Sequence, residues 1–268
     1  MQALKNITFN FINVWVEVIS FREVLWQLTR QQIILRYRRT FLGYFWTLLN
    51  PILMMSVMAV VFATLFKQDL KTFTVFLFSG MIAWNCFNAI VVQSGKSFIA
   101  NEGLIKKIYL PKLVFPLSVT LALVIDSLLS FIALFAIMLV LGGELSLALF
   151  FIPLAYILLV VFSFGIVLVM SVATVFFRDL QYVIGVIMQA WFFLTPLFYK
   201  PDALMGKVAW LIKLNPLTSF VELFRAPLYL GVLPSIDVVL HTFLLAVFSL
   251  VIGLIFFSRY EKKIIFRL

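Results

Sequence analysis

At residues 36–51 the chain reads RYRRTFLGYFWTLLNP, and no further charge appears until Lys67. A basic cluster that abuts a long apolar run is how a chain enters a bilayer from the cytoplasmic side. Gly43 and the pair Asn50–Pro51 soften the helix that follows. Hydrocarbon tolerates such breakers where neighbouring helices or a water-filled cavity can satisfy the freed backbone groups. The stretch therefore predicts a point of insertion, an orientation, and a helix that faces protein as well as lipid.

The same pattern of apolar runs separated by short charged segments continues through the chain. Of its 268 residues, 64% are hydrophobic and 12% are charged. A soluble domain carries roughly half and about a quarter. The expected fold class is an all-α integral membrane protein, a single transmembrane domain over residues 1–268. A span needs about twenty mostly apolar residues. Six segments meet this: 41–66, 72–95, 113–141, 146–177, 180–199 and 236–258. Gly142, Gly143 and Glu144 make a tight turn between the third and fourth.

Two segments are helical but do not read as spans. In residues 21–35, Phe21, Val24, Leu25, Leu28 and Leu35 recur near helical spacing, with Arg22, Glu23, Gln27, Arg30 and Gln31 mostly away from them. This predicts an amphipathic helix in the interface plane. Residues 202–235 are broken by Gly206, Pro216, Pro227, Gly231 and Pro234. Short helical pieces at 203–213 and 217–229 fit there, neither long enough to cross. Thr218 or Ser219 could cap the second. A re-entrant or interfacial hairpin over 203–229 is expected.

Six spans put both ends on one side. Lysine and arginine concentrate before residue 41, in 96–112, at Arg178 and in the tail RYEKKIIFRL. The positive-inside rule then places both ends in the cytoplasm. No internal repeat is visible, which argues against the inverted-repeat carriers. After Lys5 no compact apolar region with a small-residue cleavage site follows, so no cleaved signal peptide is expected.

Composition also excludes several chemistries. A net charge of +10 would suggest nucleic acid in a soluble protein. In a membrane chain it reads as cytoplasmic loops facing anionic lipid, with no nucleic-acid partner. Cys86 is the only cysteine and His241 the only histidine, so neither a disulfide within the chain nor a Cys- or His-based metal site is expected. Gly95–Lys96–Ser97 resembles the end of a phosphate-binding loop. The full pattern needs glycine at position 90, where Ile90 stands. Acids are scattered in the cytoplasmic loops, at Glu102 and Asp179, so no catalytic residue is assigned. The chain is not expected to be an enzyme.

Three features remain as candidates. Asp126 is the only acid deep in a span, and an intramembrane carboxylate is by default a functional hypothesis. It reads as a structural acid near Ser127 and Ser130, with a lumen-facing or proton-coupled role as alternatives. Aromatic residues near span ends, among them Tyr109, Tyr182 and Trp210, fit interfacial belts. They could also form a sugar path, because aromatic faces stack on the C–H faces of pyranose rings. Tyr44, Trp46, Trp191, Phe192 and Tyr199 are the candidates for that path. Lastly, the loop FIANEGLIKKIYLPK at 98–112 carries Leu104, Ile105, Ile108 and Leu110 at helical spacings beside Lys106 and Lys107. A short amphipathic helix there suits docking into a partner's groove.

Three stretches together resemble a known family: RYRRTFLGYFWTLLNP at 36–51, NEGLIKKIYLPKLVFPLS at 101–118, and NPLTSFVELFRAPLY at 215–229. The chain is similar to the membrane (permease) subunit of the ATP-binding-cassette exporters of polysaccharides, the group that exports O-antigen, capsule and teichoic acid. The resemblance implies a homodimer in the bacterial cytoplasmic (inner) membrane, working with two copies of a separate cytoplasmic ATPase that holds the ATP and magnesium. It implies that 21–35 is an interface helix, 98–110 a coupling helix, and 203–229 the periplasmic gate helices. Coupling would fall to Asn101, Glu102, Leu104, Ile105, Lys106 and Lys107. The substrate would be a polymer on undecaprenyl diphosphate, most simply O-antigen, moving through a channel at the homodimer interface. Arg36, Arg38 and Arg39, with Tyr37 beside them, would meet the diphosphate, since guanidinium pairs bidentately with phosphate. For each arginine, a role in topology and lipid contact stands as the alternative. A drug or lipid exporter of the same class and a carrier of another class are the rival functions.

Overall fold

The structure is a computed structural model that describes residues 16–38, 41–140, 146–200 and 206–268. The expected turn at 142–144, Arg39 and the side chain of Tyr37 lie outside the described residues. Helix α1 is Arg22–Tyr37. Helix α2, Trp46–Leu65, follows a 3-10 turn at Gly43–Phe45. Gly43 has φ +53° there, a conformation glycine adopts at no steric cost. Helix α3, Leu70–Ala89, runs on through a π turn at Ile90–Ser94. Two short turns, α4 (Ser97–Ala100) and α5 (Glu102–Ile105), lead to α6 (Val114–Val140). Then come α7 (Ile152–Phe176), α8 (Leu180–Leu194), α9 (Lys207–Leu214), α10 (Pro216–Arg225) and α11 (Ile236–Tyr260).

Among the described residues, five helices are long and apolar enough to cross a membrane: 43–65, 70–94, 114–140, 147–176 and 236–263. The sixth expected segment, 180–199, is helical only over the 15 residues of α8. At 1.5 Å per residue that is roughly 22 Å, short of a hydrocarbon core of about 30 Å. The helix stops at Thr195 because Pro196 follows, and a residue before proline is pushed out of the helical region. Thr195 is accordingly extended, with ψ 131°.

The central post is α3, with 78% of its most apolar stretch buried against 17% for α2. It is met by α2, α6, α7 and α10. Pro51 lies inside α2 and cannot donate to the Thr47 carbonyl four residues back. The Ser130 hydroxyl of α6 reaches that carbonyl at 3.1 Å, sharing its proton with Asp126 O at 2.9 Å. The breaker in the first span is thus met by a neighbouring helix, as hydrocarbon requires.

The most extensive helix pair is α7 with α11. Gly165 and Gly253 meet at the crossing. A Cβ on Gly165 would collide with the backbone carbonyl of Ser249, and one on Gly253 with the carbonyl of Gly165. Small residues let two backbones approach this closely in a membrane. Ser249 adds a hydrogen bond from its hydroxyl to Phe162 O at 2.8 Å. Gly185 on α8, by contrast, has open space around it.

Helix α1 departs from its expected placement. Its packed stripe runs through Val24, Leu25, Leu28, Thr29, Gln32, Ile33 and Arg36, while Leu35 is half exposed. The stripe keeps the 3.6 period and so arrives at Arg36 instead of Leu35. The helix packs on α6. Tyr109 donates to Glu17 at 3.1 Å, and Arg36 pairs with Asp126. These links span 92 and 90 residues of sequence, so the N-terminal segment runs alongside the start of α6 in the same direction.

The α7–α11 crossing yields a paired test. Alanine in an open helical position gains up to about 1 kcal/mol of propensity over glycine. In a filled one, overpacking costs about 1–3 kcal/mol. Gly253→Ala should lower the melting temperature of the detergent-solubilised protein, and Gly185→Ala should hold or raise it. Equal melting temperatures would rule out the tight crossing.

Candidate functional site

Asp126 sits about twelve residues into α6, roughly 18 Å along its axis. The Arg36 guanidinium, from the last turn of α1, forms an ion pair with one carboxylate oxygen. Tyr44 donates its hydroxyl to the other at 2.5 Å. The side chains of Arg36 and Asp126 are 24% and 9% exposed. Charges this deep persist only when paired and hydrogen-bonded. Asp126 is therefore ion-paired and hydrogen-bonded, and its partner is an arginine the sequence placed at the interface. Ser130 does not serve the carboxylate. Its hydroxyl goes to backbone carbonyls. Ser127 instead shares a 3.4 Å contact with the Tyr156 hydroxyl.

The basic cluster is consequently not uniform. Arg36 is committed to Asp126, whereas Arg38 is extended and exposed just beyond α1. The Arg36–Asp126 pair borders a cavity of about 320 Å³ between α2, α3 and α6. Trp46 lines this cavity too, 44% exposed.

The other three aromatic candidates lie elsewhere. Trp191 donates its ring N–H to Asn215 Oδ1 at 2.8 Å and meets Phe87 edge-on at 5.4 Å. Phe192 packs edge-on against Trp84 at 5.5 Å. Tyr199 donates to Phe193 O at 3.0 Å. The structure thus groups Tyr44 and Trp46 on one side, and Trp191, Phe192 and Tyr199 around the end of α8.

Two residues missed in the sequence organise that second group. Asn215 caps α10, its Oδ1 accepting from Leu217 N at 3.0 Å, and its Nδ2 donates to Leu194 O and Thr195 Oγ1. Neither Thr218 nor Ser219 is the cap. The Asn-Pro dipeptide was the available signal, since asparagine favours the cap and proline the first helical position. Thr218 instead donates to Ile212 O, and Ser219 contacts His241 Nδ1.

The second is Arg225, which ends α10. Its Nη2 donates to Pro196 O at 3.0 Å and Leu197 O at 3.1 Å, and its guanidinium lies 3.9 Å over the Phe76 ring. Backbone carbonyls and an aromatic face here take the place of a carboxylate. Gly80 leaves the room, for a Cβ there would stand 2.8 Å from Nη2.

On the loop side, the expected helix over 98–110 is two separate turns. Asn101 breaks it, at φ −112° and ψ 17°, and its side chain donates back to Ser97 O at 2.7 Å. Ile105 is buried in the core and Leu104 is half-buried, whereas Lys106, Lys107, Ile108 and Tyr109 are exposed. Lys106 donates to Glu102 at 2.6 Å, and Arg178 lies 4.0 Å from the same carboxylate. The Lys106 hydrogen bond holds Glu102 below the ordinary carboxylate range. Glu102 thereby joins the two expected cytoplasmic loops. Gly95–Lys96–Ser97 sits at the foot of α3, where Gly95 O accepts from Thr174 at 2.7 Å. This is helix packing and has no loop that could cradle phosphate.

Removing one partner of a buried ion pair costs about 3–5 kcal/mol, while replacing both with apolar groups is often neutral. Asp126→Leu should therefore destabilise the protein by about that amount. The double variant Arg36→Met with Asp126→Leu should regain most of it. Thermal unfolding in a double-mutant cycle measures both, and additive losses would mean that the two residues are not coupled.

Residues 23–229 match the family described as ABC-2 type transporter. Over 242 residues the chain is 30% identical to an O-antigen export system permease protein of Klebsiella pneumoniae, covering 90% of this chain and 93% of that one. A protein of the same description from Myxococcus xanthus is 29% identical over 229 residues, 82% and 86% of the two chains. The polysialic acid transport protein KpsM of Escherichia coli is 25% identical over 268 residues, 96% and 97%. With its long apolar helices, the chain belongs to the ABC-2 type transporter family, as a multi-pass membrane permease.

Proposed function

We propose that this chain is the permease of an ATP-driven exporter that moves an undecaprenyl-diphosphate-linked polysaccharide, most simply O-antigen, across the cytoplasmic membrane. The observation that carries this reading is the likeness to O-antigen export permeases over nine tenths of the chain. Two copies would enclose the channel and bind two copies of a cytoplasmic ATPase, where ATP and magnesium reside. Six crossings with both termini cytoplasmic agree with the charge distribution. The sixth would combine α8 with the irregular stretch 195–200. Non-helical backbone survives at membrane depth when it is buried in protein, and Arg225 supplies donors to the carbonyls of Pro196 and Leu197. The hairpin α9–α10 would then be the periplasmic gate.

The docking face for the ATPase would differ from the apolar residues first expected. Ile105 is turned inward, so Lys106, Lys107, Ile108 and Tyr109 would carry the contact, with Phe177 exposed on the adjoining loop and Tyr182 exposed in the first turn of α8. Glu102 holds the two loops together through Arg178. Ile108→Asp should insert normally yet lose copurification with the ATPase, because a carboxylate cannot be desolvated in an apolar groove. Wild-type copurification would place the docking face elsewhere.

Deleting the gene should remove surface polysaccharide and leave lipid-linked polymer in the cytoplasmic leaflet. Normal surface polymer in the deletion strain would overturn the reading in favour of a drug or lipid exporter. The exposed Arg38 and its neighbour Arg39 would meet the diphosphate, with Tyr37 beside them. Arg36 would hold the cluster in place through Asp126. Lysine keeps the charge but loses the planar fork. Arg38→Lys with Arg39→Lys should insert normally, bind the ATPase, and export less polymer per permease in the membrane. Full export would leave these two arginines as a topology signal.

A further inference from the structure

The cavity between α2, α3 and α6 concentrates polar groups in an otherwise apolar region. The five long helices carry asparagine or glutamine at positions 50, 85, 88 and 93, and all but Asn88 line this cavity. The carboxamides of Asn50, Asn85 and Gln93 make no hydrogen bond to another described residue. Thr47 also lines it. Thr47 is 9% exposed, and its Oγ1 has no partner among the described residues. An unpaired buried hydroxyl costs about 1–3 kcal/mol, and of the carboxamides Asn85 is half-buried while Asn50 and Gln93 are exposed. Several such groups around one space point to a ligand that completes them.

The chemistry of the walls narrows the ligand. Arg36 and Asp126 neutralise each other, so the site offers no net charge to an anion. Trp46 and Phe131 supply flat apolar faces beside the carboxamides, and the adjoining methionines, Met55 and Met81 among them, are adaptable. Amide groups bind hydroxyls while aromatic faces cover C–H bonds, and a pyranose ring presents both. A volume of about 320 Å³ lies at the small end of ligand pockets, which run from roughly 300 to 1,000 Å³.

We propose that this cavity is a saccharide subsite that holds one neutral sugar ring of the polymer within a single protomer. The proposal rests on the polysaccharide-export reading and locates a resting point for the substrate on it. The Thr47 hydroxyl and the Asn85 and Asn50 carboxamides bond the ring hydroxyls. Trp46 covers one ring face where the cavity opens.

The test has a binding arm and a transport arm. In the first, the complete permease–ATPase complex in lipid nanodiscs is irradiated with a panel of diazirine-tagged neutral hexoses and N-acetylhexosamines, and adducts are mapped by mass spectrometry. Adducts should fall within 46–58, 81–93 or 123–134, be competed by the untagged sugar, and drop several-fold in Asn85→Leu. In the second, Thr47→Val removes the unpaired hydroxyl at nearly constant volume. If that hydroxyl serves a sugar, the variant keeps or raises its melting temperature yet exports several-fold less polymer. Adducts from none of the sugars, or only outside these segments, overturn the proposal, and so does wild-type export by Thr47→Val. An export assay in which the wild-type complex moves no polysaccharide would instead overturn the transport reading, and the binding arm does not depend on it.

Discussion

Hydrocarbon offers no hydrogen bond, so polar groups between these helices must be met from within the protein or by what it binds. The ion pair of Arg36 with Asp126 is the costliest instance, and much of the structure is arranged to meet it. Helix α1 keeps its packed stripe on α6 until its last turn delivers the guanidinium. The Gly43 turn then brings Tyr44 back onto the second carboxylate oxygen. A helix that an amphipathic pattern alone would leave on the membrane surface is thereby tied to a transmembrane one. Any movement of α1 must either carry α6 with it or break a buried charge pair.

The same constraint explains the irregular backbone. Pro51 frees the Thr47 carbonyl, and Ser130 reaches it from the next helix. Pro196 ends α8 early, and Arg225 donates to the carbonyls that follow. Asn215 caps α10 while joining it to α8. In each case one polar side chain serves two elements, so the hairpin α9–α10 and the end of α8 form one unit around Asn215 and Arg225. A unit made this way can shift as a body, because its internal hydrogen bonds need not break when its outer contacts do.

The sequence carried much of the architecture but little of the site. Apolar runs longer than twenty residues can do little other than cross a bilayer, so four of the five long apolar helices were legible to within a few residues, and the fifth lacked only its extension into the tail. The short segment at 180–199 was read as longer than its helix because hydropathy does not register where a proline ends the geometry. Asp126 was legible as an exception, since a carboxylate stands out in an apolar run. Its partner was not. Arg36 lies 90 residues away in the sequence, and the basic cluster around it has a sufficient explanation in membrane topology. The loop at 98–110 shows the same limit. Its apolar spacing was visible, but whether Ile105 turns toward the core or toward a partner depends on Asn101, whose side chain breaks the helix.

By itself, the sequence determined that the chain must span a membrane, which segments could do so, and which side its charge favours. Those properties follow from local composition, because transfer into hydrocarbon is scored residue by residue over a continuous stretch. Only the tertiary structure decided which polar groups meet: Arg36 with Asp126, Arg225 with two carbonyls, and Asn50, Asn85 and Gln93 around one cavity. Such pairings depend on how helices distant in sequence cross. The crossings in turn depend on close packing at points such as Gly165 and Gly253, where a single methyl group would push two backbones apart.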